Sequence, residues 1–228
     1  MKISLCLLTL NEIKGCRHDV PLIKRDEFDE IFAIDGGSTD GTIEFLRKEG
    51  IVVYNQEKKG FNAAHIQAVN SCKSDAIIFF HPKATVPVSD TLKFRYYFER
   101  GYDLIVASRM MNGGRNEEDS KIFRPRKFFI LFLALVSAVL WKRDGRIIWD
   151  VLHGFRGIRI SAFKKINPLN EGLSIDIESV IRAYKKRIKR IEFPTLELKR
   201  VYGKTHFETL PTGIKLIRYF VGEIFRKN

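Results

Sequence analysis

At 228 residues the chain is long enough for one sizeable hydrophobic core, and 45% hydrophobic against 29% charged residues excludes a disordered or fibrous protein. The 40 Lys and Arg outnumber the 27 Asp and Glu, and the formal net charge of +13 selects anionic partners, whether phosphates, nucleic acid or an acidic membrane face. Cys6, Cys16 and Cys72 have neither an even count nor metal-ligand spacing, which excludes a disulfide framework and points to reduced thiols in the cytoplasm. The apolar start could pass for a secretory leader. It runs into Asn11-Glu12 without a small-residue cleavage site, so residues 3–8 are expected to form a first strand.

A polar turn, Thr9 to Glu12, follows, and residues 13–29 read as a helix interrupted at Pro21. The apolar run 31–34 reads as a strand ending in Asp35. Gly36 and Gly37 supply a tight turn, and Ser38, Thr39 and Asp40 are suitable N-caps for a helix from Thr42. Residues 51–54 form a third strand, Lys58 to Asn62 a loop, and 63–72 a helix. A fully apolar fourth strand, 76–80, ends in His81-Pro82-Lys83. A helix over 91–100, a strand over 103–109 ending in Ser108-Arg109, and a mobile Gly-rich loop over 111–123 come next. Strands alternating with helices at this rhythm predict an α/β fold with a mostly parallel sheet covered on both faces. Its polar strand ends would converge on the edge where open α/β sheets bind ligands.

Residues 128–141 are apolar on every side apart from Ser137, and lie between Arg124, Arg126, Lys127 and Lys142, Arg143. As a helix this run is roughly 21 Å long, against roughly 30 Å of hydrocarbon in a bilayer, so it is too short to span. A helix lying in the membrane interface is expected, with a buried core helix as the alternative. Residues 212–228 place Ile214, Ile217, Phe220, Val221, Ile224 and Phe225 at helical spacing and read the same way. No RNA- or DNA-binding signature accompanies the positive charge, so nucleic acid is not an expected partner.

Seven stretches in order carry a family resemblance: Thr9-Leu-Asn-Glu12, the run Ile34 to Thr42, Lys59-Gly60 with Asn62-Ala63, Ala107-Ser-Arg109 with Gly113-Gly114, Asp150 to Arg156, Gly172 to Glu178, and Arg200-Val-Tyr-Gly-Lys204. Together they resemble the family 2 glycosyltransferases of GT-A fold, specifically polyprenyl-phosphate sugar synthases such as dolichyl-phosphate mannose synthase. The resemblance implies one glycosyltransferase domain, with a nucleotide-binding half over 1–110 and an acceptor-binding half over 111–210. It implies inverting transfer of a hexose from a nucleoside-diphosphate sugar to a polyprenyl phosphate, at the cytoplasmic face of a membrane and by peripheral attachment. Thr9, Asn11, Glu12, Asp35, Gly36, Ser38, Lys59, His81 and Pro82 would line the nucleotide. Asp35 would accept hydrogen bonds from the base, so its loss should weaken nucleotide binding while leaving thermal stability nearly intact. Arg115, Arg124 and Arg126 would meet the acceptor phosphate.

One departure bears on the chemistry. The family's metal motif, Asp-x-Asp after the fourth strand, falls on His81-Pro82-Lys83, so the oxygen ligands that Mg²⁺ requires are absent and no metal is assigned. The charge building on the departing diphosphate then needs fixed cations, for which Lys83, Arg109, Arg200 and Lys204 are available. A polyprenyl phosphate, with a second pKa of about 6, is its own nucleophile and needs no strong base. Two other readings remain: a saccharide or other soluble acceptor, with Asp176 or Glu178 as base, and a non-catalytic protein that holds nucleotide or lipid phosphate.

Overall fold

The computed structural model describes residues 1–120, 122–202 and 209–226. The strands are β1 (Ile3–Thr9), β2 (Glu30–Asp35), β3 (Val52–Asn55), β4 (Ala76–Phe80), β5 (Leu104–Ser108), β6 (Arg156–Arg159) and β7 (Arg190–Pro194). Among the described residues they form one sheet in the order β3-β2-β1-β4-β6-β5-β7. Neighbours are parallel except around β6, which runs antiparallel to both β4 and β5. The mostly parallel α/β architecture expected from the sequence is therefore present. Neither β6, in the middle of the sheet, nor β7, at its edge, shows a strand pattern, because Arg156, Arg159, Arg190 and Glu192 put charge where a buried strand should be apolar.

The helices are α1 (Ile13–Asp19), α2 (Thr42–Lys48), α3 (Phe61–Ser71), α4 (Lys93–Glu99), α5 (Pro125–Trp141), α6 (Ile160–Ile166), α7 (Ile175–Lys185) and α8 (Thr209–Phe225). Period-two alternation divides the strands between two cores. Leu5, Leu7, Ile78 and Phe80 pack with Cys16 of α1, Leu46 of α2 and Phe94 and Phe98 of α4. Cys6, Leu8, Ile77 and Phe79 pack with Ala68 of α3, Leu133 of α5, Ala162 of α6, Ile181 of α7 and Phe220 of α8. Gly157 in β6 admits the first layer: a Cβ there would lie 2.7 Å from Phe94 and 2.9 Å from Phe98. The helix expected over 13–29 ends at Asp19 instead, and Pro21 sits in the first of two short 3₁₀ turns.

Helix α5 starts at Pro125, three residues before the expected apolar run, since proline suits a first helical turn. Ile130, Leu133, Ala134, Ser137 and Ala138 are buried, whereas Phe128, Phe132, Leu135 and Val139 on the other face are exposed. Helix α8 is built alike: Leu216, Phe220 and Glu223 are buried, and Ile214, Ile217, Val221, Ile224 and Phe225 are exposed. The two helices meet where Trp141 packs edge-on against Phe220, with ring centroids 5.1 Å apart. No helix among the described residues is long and apolar enough to cross a membrane.

Candidate active site

The carboxyl ends of β1 and β2 are knitted into one unit. Thr9 and Asp35 are register partners, and Thr9 donates its hydroxyl hydrogen to Asp35 at 2.7 Å. The other donors to Asp35 are the backbone N–H of Gly37, and both the N–H and the hydroxyl of Ser38. A carboxylate accepts about four hydrogen bonds, so the fully buried Asp35 is saturated by its own turn. Asn11, held at a φ of 52°, accepts from the N–H of Thr39 and donates its own N–H to Ser38. Asp40 accepts from the N–H of Ile13 and from Thr42, and Thr42 in turn accepts from the N–H of Glu12.

This changes the expectation for Asp35, which holds the shape of the turn after β2 and has no lone pair left for a base. Asp35→Ala strands buried donors, so it should lower folding stability by on the order of 3 kcal/mol, read as a shift of the urea midpoint. An unshifted midpoint with lost nucleotide binding would restore the direct-contact role. Gly36, beside Leu10 and Gln56, lies in the same turn. Lys59 is exposed in a loop that Gln56 organises by donating to the carbonyls of Lys58 and Gly60.

The end of β4 is clamped from below. A Cβ on Gly15 would lie 2.2 Å from the Pro82 carbonyl oxygen and 2.8 Å from the Cα of Lys83, so only glycine lets α1 approach this closely. Asp19, buried at the end of α1, accepts the N–H of Ala84, whose φ is 54°. Neither Gly15 nor Asp19 stands out in the sequence. Together they fix the backbone on which Lys83 is mounted. Burial pulls the Lys83 ammonium below its usual pKa and nearby Arg200 adds to the shift, while Glu12, Glu197 and Asp176 oppose it. Arg200 forms an ion pair with Glu12 and donates to the Tyr202 carbonyl, so the late basic loop reaches the first strand end. Lys204 lies outside the described residues.

His81 stacks on Phe61, centroids 5.8 Å apart, and packs against Gly154, where a Cβ would meet the ring at 2.8 Å. Burial, reinforced by Lys83, His65, His153 and Arg156, holds its imidazole well below the ordinary range and therefore neutral at pH 7. His65 beside it is pushed by burial down to about 4, its Nδ1 bonded to the Phe61 carbonyl. His153 bonds through Nδ1 to the Ala107 carbonyl at 2.5 Å, and since a carbonyl only accepts, that nitrogen carries the proton.

Other assigned cations are already paired. Arg109 donates from its backbone N–H, Nε and Nη2 to Asp150, and from Nη1 to Glu197 at 2.9 Å. With two carboxylates around it, Arg109 is a structural keystone and not a charge held ready for a leaving group. Glu197 could not be picked out in the sequence, because it lies 88 residues from its partner. Arg124 pairs with Asp119 and Arg126 with Glu117, so both residues expected to meet an acceptor phosphate also brace the start of α5. The same contacts, with Lys127 on Asp119, anchor Glu117 and Asp119 of the loop to the start of α5. Arg115 is exposed, its backbone bridged to the strand-like residues 195–197.

Of the two carboxylates considered as a base, Glu178 is fully buried and held by Ser174, the N–H of Leu169 and Arg182. It cannot reach a substrate. Asp176 opens α7 and forms an ion pair with the buried Arg156 at 3.2 Å. Asn62, buried at the start of α3, joins that helix to α7 by accepting the N–H of Ile175.

These residues do not fit a divalent cation. Among the described residues no three His, Cys, Asp or Glu side chains come together so as to hold one. At the position of the resembled motif stand a neutral imidazole, a proline and an ammonium. Hard cations need oxygen ligands, and the ammonium repels them.

Comparison with known proteins accords with this geometry. The model of glycosyl transferase family 2 matches residues 7–167. The chain is 26% identical over 219 residues to the uncharacterized protein MJ1222 of Methanocaldococcus jannaschii, covering 91% of this chain and 86% of the relative. It is 25% identical over 214 residues to glycosyltransferase AglJ of Haloferax volcanii, covering 92% of this chain and 68% of that one. Among solved structures, glucosyl-3-phosphoglycerate synthase of Mycobacterium tuberculosis with uridine diphosphate superposes with a TM-score of 0.71, covering 100% of this chain and 81% of that one. The same enzyme with Mn²⁺, uridine diphosphate and glucosyl-3-phosphoglycerate gives 0.68. Identity is 17% in both, so the likeness is one of fold, the GT-A fold. The family model spans well over half of the chain and includes all four polar strand ends: this protein belongs to glycosyltransferase family 2.

Proposed function

We propose that the protein moves a hexose from a nucleoside-diphosphate sugar to a polyprenyl phosphate at a membrane surface. The observation that carries this reading is the pair of exposed apolar faces on α5 and α8, two helices that meet at Trp141 and Phe220. Phe132 is 62% exposed, Val139 71% and Phe225 79%, values foreign to the solvent side of an ordinary surface helix. Leu196, Leu198 and Val201, next in sequence to Glu197 and Arg200, are exposed apolar residues as well. Lys142, Arg143 and Arg146 after α5, and Lys215, Arg218 and Arg226 on or after α8, supply cations for lipid phosphates.

In the transfer, an oxygen of the acceptor phosphate forms a bond to the anomeric carbon. The bond from that carbon to the β-phosphate oxygen breaks, and its electron pair leaves with the nucleoside diphosphate. An ionised phosphate gives up no proton in this step, so no strong base is needed, consistent with a buried, bonded Glu178. A small phosphorylated acceptor is the second reading, favoured by likeness to an enzyme solved with phosphoglyceric acid.

The test is a panel of labelled nucleotide sugars offered with either polyprenyl phosphate or 3-phosphoglycerate, followed by solvent extraction. Label should pass into the organic phase only with polyprenyl phosphate. Label confined to the aqueous phase and dependent on phosphoglycerate would replace this reading with the second.

A further inference from the structure

Glucosyl-3-phosphoglycerate synthase has been solved with Mn²⁺ and uridine diphosphate together, yet the end of β4, where the resembled metal motif falls in this chain, does not fit a cation. We propose that the Lys83 ammonium binds the donor diphosphate directly, so that donor binding and leaving-group departure need no divalent metal. The inference rests on the donor half of the function above and is independent of which acceptor is used.

Three observations converge on Lys83. Its backbone is fixed by the close approach of Gly15 and by Asp19, so the side chain starts from a rigid point at the ligand-binding edge of the sheet. A cation mounted in this way has its stem anchored at the site before the ligand arrives, which limits the reorganisation needed as charge develops. Second, the other buried or half-buried cations around it are matched by carboxylates. Arg109 has Asp150 and Glu197, Arg156 has Asp176, and Arg200 has Glu12. The Lys83 ammonium makes no ion pair or side-chain hydrogen bond among the described residues, although Glu12, Glu197 and Asp176 lie within electrostatic reach. A half-buried ammonium with no bonded carboxylate among the described residues is unfavourable until an anion meets it.

Third, the neighbours offer a metal no free anionic ligand. His81 is held neutral by burial and by Lys83 itself, so the position of the lost carboxylates offers no negative charge to a metal. The neighbouring Glu12 is already paired with Arg200. That pair gives a diphosphate a second cation: Arg200, only partly buried, can share its fork with an incoming phosphate oxygen while Lys83 takes the β-phosphate. Lys83, with the share of the Arg200 charge that Glu12 leaves, then offsets diphosphate charge that a metal would otherwise meet.

The experiment measures nucleoside diphosphate binding, and turnover separately. Uridine and guanosine diphosphate are titrated by calorimetry into the purified full chain, in EDTA and in Mn²⁺, with wild type, Lys83→Ala, Lys83→Gln and Lys83→Arg. Binding of one of them should be the same in EDTA and Mn²⁺. Lys83→Ala and Lys83→Gln should weaken it about tenfold to a hundredfold, with Lys83→Arg losing less. Sugar transfer should survive EDTA and fall about 10²- to 10³-fold in Lys83→Gln. The Gln variant keeps most of the stem, and unchanged thermal midpoints separate lost binding from lost folding. Binding that requires Mn²⁺, or that is unchanged in both Lys83→Ala and Lys83→Gln, overturns the proposal. No binding of either diphosphate with or without Mn²⁺ overturns it together with the donor site. Metal-free binding without lipid product leaves the proposal standing and refutes only the polyprenyl acceptor.

Discussion

Asp150→Ala should lower folding stability by about 3–5 kcal/mol, seen as a large fall in the urea midpoint, because it strands a buried guanidinium. Asp150 is fully buried and takes three of the hydrogen bonds Arg109 donates, one from the backbone and two from the fork. Burial alone would raise its pKa, but the Arg109 charge and hydrogen bonds outweigh burial and hold it at about 2. A carboxyl depressed in the folded state stabilises the fold above its unfolded pKa of about 3.9 and loses that contribution as pH falls towards 2. The wild-type advantage over Asp150→Ala should therefore be full at pH 7 and shrink between about pH 4 and pH 2. The double variant Arg109→Met/Asp150→Leu should recover much of the loss, since an apolar pair of similar volume avoids burying charge. A single variant that unfolds at the wild-type midpoint would show that Glu197 alone satisfies Arg109.

How much of this was legible in the sequence depends on the distance between partners. β1, β2, β4 and β5 announce themselves as apolar runs with polar ends, and the turn after Asp35 follows from its glycines and capping residues. The strands that escaped, β6 and β7, are short and carry arginines whose partners lie elsewhere: Arg156 reaches Asp176, and Arg190 reaches Asp144 46 residues upstream. A charge whose partner lies far along the chain looks solvated, and so a buried strand reads as a loop.

The same limit governs the site. Asp35 and Lys83 were placed at the right sheet edge, because strand ends converge there whatever the side chains do. What the two side chains are free to do was not legible. Asp35 is consumed by donors from Thr9, Gly37 and Ser38, and Arg109 by carboxylates 41 and 88 residues away. Lys83, by contrast, has no bonded carboxylate among the described residues, whereas its neighbours are paired.

Floating with anionic liposomes is the second expected result with a large effect. Helix α5, 17 residues and about 26 Å long, would lie flat with Phe128, Phe132, Leu135 and Val139 turned to the acyl chains. Ile214, Ile217, Val221 and Ile224 of α8 would extend the same surface. Withdrawing a large apolar side chain from water is worth about 1.5–3 kcal/mol, so Phe132→Asp with Val139→Asp should reduce partitioning by on the order of 100-fold or more. Both positions are exposed, so the thermal midpoint should stay within about 0.5 kcal/mol of wild type in stability. Replacing Lys215 and Arg218 by Gln should weaken binding to anionic vesicles selectively, and added salt should mimic that change. A second copy of the chain could instead cover these faces, in which case sedimentation without lipid would show a dimer that the Asp substitutions dissociate. A monomer that ignores anionic vesicles, or a double variant that floats like wild type, would sink the membrane reading and move the acceptor search to soluble phosphates.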